Sequence, residues 1–160
     1  MTGDKSLEVQ VGELLLSKNW TVGTAESCTG GLIAHRLTNI AGSSAYVLGG
    51  IVAYSNTVKQ SVLGVHQGSL IAHGAVSETV AAEMALGARR VLAVDVALSV
   101  TGIAGPGGGT VEKPVGLTYI GLAGPDNLLV VRRHLWNGSR EAIKTASADA
   151  ALALLLELIT

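Results

Sequence analysis

Residues 25–31, AESCTGG, place four side chains capable of chemistry directly before a pair of glycines. Ser27 could act as a nucleophile through its hydroxyl, and Cys28 could do so as a thiolate. The glycine pair predicts a strand-to-helix junction, where unpaired backbone N–H groups favour an oxyanion or a phosphate. A simpler alternative is that Ser27 or Thr29 caps the helix. The residues alone leave both interpretations open.

Cys28 is the single cysteine of the chain, so it forms no internal disulfide, which fits a reducing cytoplasm. The nearest histidine in sequence, His35, follows seven residues later. That offset is about two helical turns, too far for His35 to act as a base for the thiol. A free cysteine is most often a small buried apolar side chain. We therefore rank a thiol mechanism below one that uses Ser27.

Tyr54 and Lys59 lie in AYSNTVK, across a turn from a predicted strand to a predicted helix. A lysine that is partly desolvated in a cleft can lose its proton near neutral pH and serve as the base for a hydroxyl nucleophile. A nearby tyrosine could orient that lysine or pass a proton. The alternative is an ordinary solvated helix lysine.

Two further stretches could bind an anionic ligand. The segment GIAGPGGGTVEKPVG holds six glycines and two prolines in 15 residues, and Gly102, Gly105 and Gly107 would let backbone amides approach a ligand closely. It is neither a Walker loop nor a dinucleotide fingerprint, because no Gly-Lys-Ser/Thr follows and a strand comes next. Arg140, in NGSRE at the start of the last predicted helix, could hold a phosphate. A flexible loop and a solvated arginine are the corresponding alternatives.

The composition argues against several classes of function. The chain has 160 residues, 11 basic and 12 acidic, with a formal net charge of −1, so no basic surface for nucleic acid or anionic lipid is expected. The four histidines are scattered and no C-x-x-C or H-x-x-x-H pair occurs, so no metal site is predicted. No apolar stretch reaches the ~20 residues of a membrane span, and MTGDKSLEVQ lacks the apolar core of a signal peptide. We expect a soluble, cytoplasmic protein with a small-molecule partner.

Hydrophobic periodicity predicts alternating helices and strands that would position these residues. The predicted helices cover residues 5–18, 29–42, 56–64, 78–93 and a last segment from NGSRE through AALALLLELI. The predicted strands cover residues 20–25, 46–55, 95–101, 116–123 and 128–136, with the GPDN turn joining the last two as a hairpin.

This order of elements predicts the fold class. It indicates one α/β domain over residues 1–160, a three-layer α/β/α sandwich around a mixed, mostly five-stranded sheet. In open sheets of this kind, ligands bind beyond the carboxyl ends of the strands. We therefore expect AESCTGG, the end of the second strand and the glycine-rich loop to meet at one site.

Five stretches occur in one order along the chain: TAESCTGG, AGSSAYVLGGIVAYSNTVK, HGAVSE, SVTGIAGPGGGTVEKPVG and NGSRE. Together they closely resemble the CinA C-terminal domain family, the nicotinamide-nucleotide amidohydrolases, over nearly the whole chain. CinA proteins often carry an additional N-terminal domain. The resemblance here covers the C-terminal domain alone, so the chain is similar to the stand-alone, PncC-like form. One position differs, since Ser139 stands where many relatives carry Asp before the arginine.

The resemblance implies hydrolysis of the carboxamide of nicotinamide mononucleotide to nicotinic acid mononucleotide and ammonia. By this likeness Ser27 maps to the nucleophile, Lys59 to its activating base and Tyr54 to a supporting residue. Arg140 matches a basic residue near the substrate. Neither a metal nor an organic cofactor is needed for this chemistry.

Backbone groups would complete the binding of such a substrate. N–H groups near Thr29, Gly30 and Gly31 could hold the oxyanion of a tetrahedral intermediate. Amides of the glycine-rich loop could contact the ribose and phosphate.

Two other hypotheses stand beside the serine amidohydrolase. The family's competence-related name suggests a non-catalytic module that binds a nucleotide or a partner in DNA uptake or the response to DNA damage. The near-neutral charge argues against direct contact with DNA. A thiol hydrolase that uses Cys28 is the third hypothesis. A homodimer is expected from the apolar composition, in which 48% of residues are hydrophobic.

Overall fold

Five short runs rich in apolar and β-branched residues form the sheet of the computed structural model, which describes residues 3–160. The strands are β1 (Val22–Glu26), β2 (Val47–Val52), β3 (Val96–Gly102), β4 (Leu117–Ala123) and β5 (Leu129–Leu135). Their order is β2-β1-β3-β4-β5, with β1 parallel to β2 and β3 and the remaining pairs antiparallel. The residues of β1 and nearly all of β3 are buried, as expected for central strands covered by helices on both faces.

Helices cover both faces of this sheet. They are α1 (Leu7–Lys18), α2 (Leu32–Thr38), α3 (Asn56–Ser61), α4 (Gln67–His73), α5 (Glu78–Leu92) and α6 (Arg140–Ile159), with a 3₁₀ turn at Ser43–Ala45. Apolar residues of α1, α2 and α6 pack on the face that carries Leu98, and those of α5 pack on the face that carries Ala97. The predicted three-layer α/β/α sandwich with a mixed five-stranded sheet is confirmed.

The order of the strands opens a crevice at the carboxyl end of β1. Helix α2, which follows β1, and helix α5, which precedes β3, lie on opposite faces, so the crevice lies between β1 and β3. Backbone pairing continues past the strand ends, where the Ser27 N–H donates to the Val100 carbonyl at 2.9 Å and the Ala53 N–H to the Glu26 carbonyl at 2.8 Å. The residues just beyond β1 and β2 are therefore neighbours.

Glycine permits a close approach between α5 and the segment that follows α3. A Cβ at Gly87 would lie 2.0 Å from the carbonyl oxygen of Leu63. Leu63 is buried in the small core formed with α5. Any larger residue at position 87 would push this segment away from α5.

The main differences from the sequence-based prediction are the ends of two elements and one additional helix. The helix predicted over 29–42 ends at Thr38, whose hydroxyl donates back to the Ala34 and His35 carbonyls. The strand predicted over 46–55 ends at Val52, because Ser55 caps α3 by accepting from the Val58 N–H. Helix α4 was not predicted, because it has no buried residue and hence no apolar periodicity. Among residues 3–160, no helix has both the length and the apolar character to span a lipid bilayer.

Candidate active site

Ser27 and Lys59 meet beyond the carboxyl ends of β1 and β2. Nζ of Lys59 lies 2.9 Å from Oγ of Ser27. It also lies 2.9 Å from the carbonyl oxygen of Ala53 and 3.2 Å from that of Tyr54. Lys59 is 1% exposed and Ser27 is 7% exposed. Lys59 is therefore the desolvated lysine that a catalytic base requires, and not an ordinary solvated helix lysine.

Three oxygen atoms around Nζ suit both protonation states of the amine. A charged lysine has three N–H donors, one for each oxygen. A neutral amine has two donors for the two carbonyls and a lone pair that faces the Ser27 hydroxyl. Burial lowers the pKa of Lys59, and a negative charge on the nearby Cys28 would oppose this shift as a smaller effect. The arrangement can therefore accept and return a proton without moving the side chain.

Tyr54 contributes its backbone, and not its hydroxyl, to this pair. Its carbonyl accepts from Lys59, while its side chain is 63% exposed and its hydroxyl accepts from an Nη2–H of Arg140 at 3.1 Å. Of the two roles considered for Tyr54, passing a proton to Lys59 has no support in this geometry, and it is the backbone carbonyl that orients the lysine. The tyrosine ring instead lies at the entrance to the site.

The glycine pair shapes the turn that carries Ser27. Gly30 and Gly31 have φ values of 62° and 103°, a region that favours glycine. The Gly30 N–H donates to the Ser27 carbonyl at 3.1 Å and is thereby engaged within the turn. The N–H groups of Cys28, Thr29 and Gly31 donate to no other group within residues 3–160. These three amides, unlike that of Gly30, have no partner within the described residues.

Glu26 performs the capping that was one of the two alternatives for Ser27 and Thr29. Its carboxylate accepts from the N–H groups of Ile33 at 2.8 Å and Ala34 at 3.1 Å, in the first turn of α2. The helix begins after Gly31 without a capping side chain of its own. Ser27 is thereby free for chemistry, and the hydroxyl of Thr29 is buried without a partner among the described residues.

Sequence reasoning missed this role of Glu26. The signal was a carboxylate placed as the last residue of a strand, one position before the nucleophile candidate. Because Glu26 is 1% exposed, it needs strong hydrogen bonds where it lies.

Cys28 is a buried thiol that points toward the end of β3. It is 6% exposed, and a Cβ on Gly102 would lie 3.1 Å from its Sγ. Burial raises the pKa of the thiol to about 11. A thiolate is the nucleophilic form of cysteine, so this environment disfavours a thiol mechanism.

A pocket of about 240 Å³ adjoins the turn that carries Ser27, and neither Ser27 nor Lys59 is among the residues that line it. Cys28, Tyr54 and Arg140 line it, together with loop residues that include Gly102, Gly105 and Gly107. The three glycines predicted to contact a ligand therefore lie at one cavity. Within residues 3–160, no group of three His, Cys, Asp or Glu side chains is placed to hold a metal ion.

Arg140 joins this pocket to a second one. Its Nη1–H donates to the Gly105 carbonyl at 2.8 Å, and its Nη2–H donates to Tyr54. The second pocket, of about 480 Å³, is lined by Leu32, Arg140, Glu141, Lys144 and Thr145. Ser139 caps α6 by accepting from the Ala142 N–H at 3.1 Å, the role that Asp would play there. Lys144 was not singled out from the sequence, because a lone lysine within a helix carries no motif.

Comparison with known proteins identifies the family to which this chain belongs. Residues 4–159 match the family described as the CinA C-terminal domain. The nicotinamide-nucleotide amidohydrolase PncC of Enterobacter agglomerans is 49% identical over 91% of this chain and 89% of its own length. A protein of Moorella thermoacetica named for competence-damage induction is 53% identical over 96% of this chain, which spans 37% of that longer relative.

Solved structures show the same fold. The competence/damage inducible protein CihA from Agrobacterium tumefaciens superposes with a TM-score of 0.91 and 39% identity, covering 100% of both chains. A CinA superfamily protein from Klebsiella pneumoniae superposes with a TM-score of 0.92 and 33% identity, covering 96% of this chain and 95% of its own.

Proposed function

Because this chain belongs to the CinA C-terminal domain family, we propose that it is a hydrolase that removes ammonia from nicotinamide mononucleotide. The product would be nicotinic acid mononucleotide. The PncC relative, which is matched over most of its length, supports this substrate. The observation that carries the proposal is the 2.9 Å contact between Nζ of Lys59 and Oγ of Ser27, whose neighbours Cys28 and Tyr54 line a pocket.

The reaction begins with activation of Ser27. The neutral amine of Lys59 takes the hydroxyl proton, and Oγ forms a bond to the carboxamide carbon. The C=O bond becomes a C–O⁻ group, which the free N–H groups of Cys28, Thr29 and Gly31 could stabilise. Loss of one such donor costs other enzymes about 3 kcal/mol of transition-state stabilisation.

Collapse of this intermediate expels ammonia. Protonated Lys59 gives its proton to the leaving nitrogen as the C–N bond breaks, and an acyl ester on Ser27 remains. Lys59, neutral again, takes a proton from water, whose oxygen attacks the ester. Ser27 recovers its proton from Lys59 as the ester C–O bond breaks, and the carboxylic acid that forms loses its proton to water.

The direct test is release of ammonia from nicotinamide mononucleotide by the purified protein. Ser27→Ala and Lys59→Met should each lower kcat by several orders of magnitude, as removal of a nucleophile or its base does in other serine hydrolases. Methionine is close to lysine in volume and has no base, so the core stays filled. Liquid chromatography of the nucleotide product gives the second readout.

Cys28→Ala is the matched control, because it alters the neighbouring side chain in the same turn. It should keep kcat near that of the wild type. Full activity of Ser27→Ala, or loss of activity in Cys28→Ala with an intact fold, would refute the serine mechanism. Binding of the nucleotide without turnover by the wild type would favour the alternative of a non-catalytic module in competence or the damage response.

A further inference from the structure

Two cations on α6 face the second pocket. Arg140 and Lys144 are four residues apart, so they project from the same side of the helix. Both line the cavity of about 480 Å³, and Arg140 also lines the smaller pocket beside Ser27. The two cavities thus meet at Arg140, and Lys144 lies on the side away from the smaller pocket.

Neither cation has a counterion among residues 3–160. No carboxylate oxygen lies within 4.0 Å of Arg140 or Lys144. Glu141 also lines the cavity, but it is exposed and pairs with neither cation. Arg140 makes two hydrogen bonds, to Gly105 and Tyr54, and Lys144 makes none to the described residues. The remaining N–H donors of both side chains are free for a ligand with several acceptor oxygens.

Lys144 also lies close to the turn that carries the nucleophile candidate. Its Nζ is 3.7 Å from the place that a Cβ would take on Gly30. Its charge favours the thiolate of Cys28, against the larger effect of burial on that pKa. The ammonium group is therefore near the site and still outside the pocket where the carboxamide would bind.

We propose that Lys144, with Arg140, forms the subsite for the phosphate monoester of the substrate and makes the site select phosphorylated over unphosphorylated ligands. This inference rests on the proposed function for the identity of the substrate. A phosphate monoester carries close to two negative charges at neutral pH and three acceptor oxygens, which match two uncompensated cations. With the carboxamide at Ser27, the other end of a mononucleotide would extend past Arg140 into the second pocket.

The test compares ligands that differ only in the phosphate. Lys144→Gln should raise KM for nicotinamide mononucleotide at least about tenfold, the loss expected for a hydrogen bond to a charged group, and leave kcat within about twofold. It should leave kcat/KM for nicotinamide riboside unchanged. Arg133→Gln, which removes one charge from an exposed side chain on β5, should change kcat/KM for neither substrate. Equal losses for both substrates, or no loss for either, would overturn the proposal.

A binding experiment separates this inference from the proposed function. Calorimetry with ribose 5-phosphate, with ribose as the unphosphorylated reference, probes the subsite without any amide. Binding of ribose 5-phosphate that weakens in Lys144→Gln supports the subsite even if the wild type releases no ammonia. If the wild type releases ammonia and Lys144→Gln still prefers ribose 5-phosphate over ribose to the same degree, the phosphate subsite is refuted and the proposed deamidase function is not.

Discussion

Lys59 occupies a position where a charged amine is unfavourable. It is buried, and no carboxylate within the described part of the chain forms an ion pair with it. Three oxygen atoms contact Nζ, but none carries a full negative charge. Because burial makes the charged amine less favourable, it lowers the pKa of Lys59. A lysine needs such a lowered pKa to act as a base near neutral pH.

The activity should depend on pH through Lys59. Because its neutral form is the base, kcat/KM should rise with pH and level off above the lowered pKa. This plateau should begin below the pH at which a solvated lysine loses its proton. Initial rates of ammonia release from about pH 6 to about pH 10 give the profile. A profile that is flat, or that falls as the amine loses its proton, would contradict the assignment.

Stability should follow the same titration. The unfolded chain binds the lysine proton more tightly than the folded one, so the unfolding free energy should rise with pH between the lowered and the ordinary pKa. In Lys59→Met this rise should be absent. Denaturant unfolding at a series of pH values measures both proteins.

At the scale of elements, Gly87 decides how closely α5 approaches the segment that holds Lys59. The Val65 N–H donates to the carbonyl of Lys59 at 3.0 Å, so α3 and the residues after it move together. Leu63 contacts α5 at the position where a side chain on residue 87 would begin. Packing of one helix thereby sets the position of the base.

Gly87→Ala should destabilise the protein although alanine is the better helix former. The propensity gain is about 1 kcal/mol, but a Cβ at 2.0 Å from the Leu63 carbonyl overlaps backbone, a strain that typically costs about 1–3 kcal/mol. We expect a lower midpoint of thermal unfolding and a lower kcat.

Gly68→Ala, in α4, is the matched control. Nothing lies within 4 Å of its Cβ position, so the same exchange should leave kcat unchanged and stability equal or slightly higher. Equal effects of the two substitutions would show that propensity, and not packing, decides the outcome.

At the scale of the whole molecule, Arg36 ties together the three helices of one layer. From α2 it reaches Glu8 of α1 at 3.0 Å and Asp149 of α6 at 2.6 Å. The side chain of Arg36 is 17% exposed, so solvent screens these contacts less than it would on an open surface. The hydrogen bonds from Arg36 lower the pKa of Glu8.

Arg36→Gln should lower the free energy of unfolding by about 1–2 kcal/mol at neutral pH, between the values for exposed and buried pairs. A carboxyl with a lowered pKa contributes stability above its ordinary pKa and loses it as the pH falls through the lowered one. The difference between wild type and variant should therefore shrink on acidification. Chemical denaturation at several pH values tests this, with Arg133→Gln as the control for loss of one charge.

The homodimer, the cytoplasmic location and the extent of one domain over residues 1–160 stay predictions. An analytical ultracentrifugation experiment would decide the first of them.

Local patterns in the sequence determined the elements and the layers. Apolar spacing and the GPDN turn act over a few residues, so they can be recognised without knowledge of the fold. Helix α4 was not predicted, because none of its residues is buried and it has no apolar periodicity. The ordered motifs also indicated the family and singled out Ser27, Lys59 and Arg140.

Only the tertiary structure decided which of these residues meet and in what state. The contact of Lys59 with Ser27 joins residues 32 apart, and that of Arg140 with Tyr54 joins residues 86 apart. Such contacts depend on the strand order, which brings distant strand ends to one crevice. Burial of Lys59, the capping role of Glu26 and the place of Lys144 follow from the same packing. Protonation and charge pairing depend on these surroundings, which no local pattern contains.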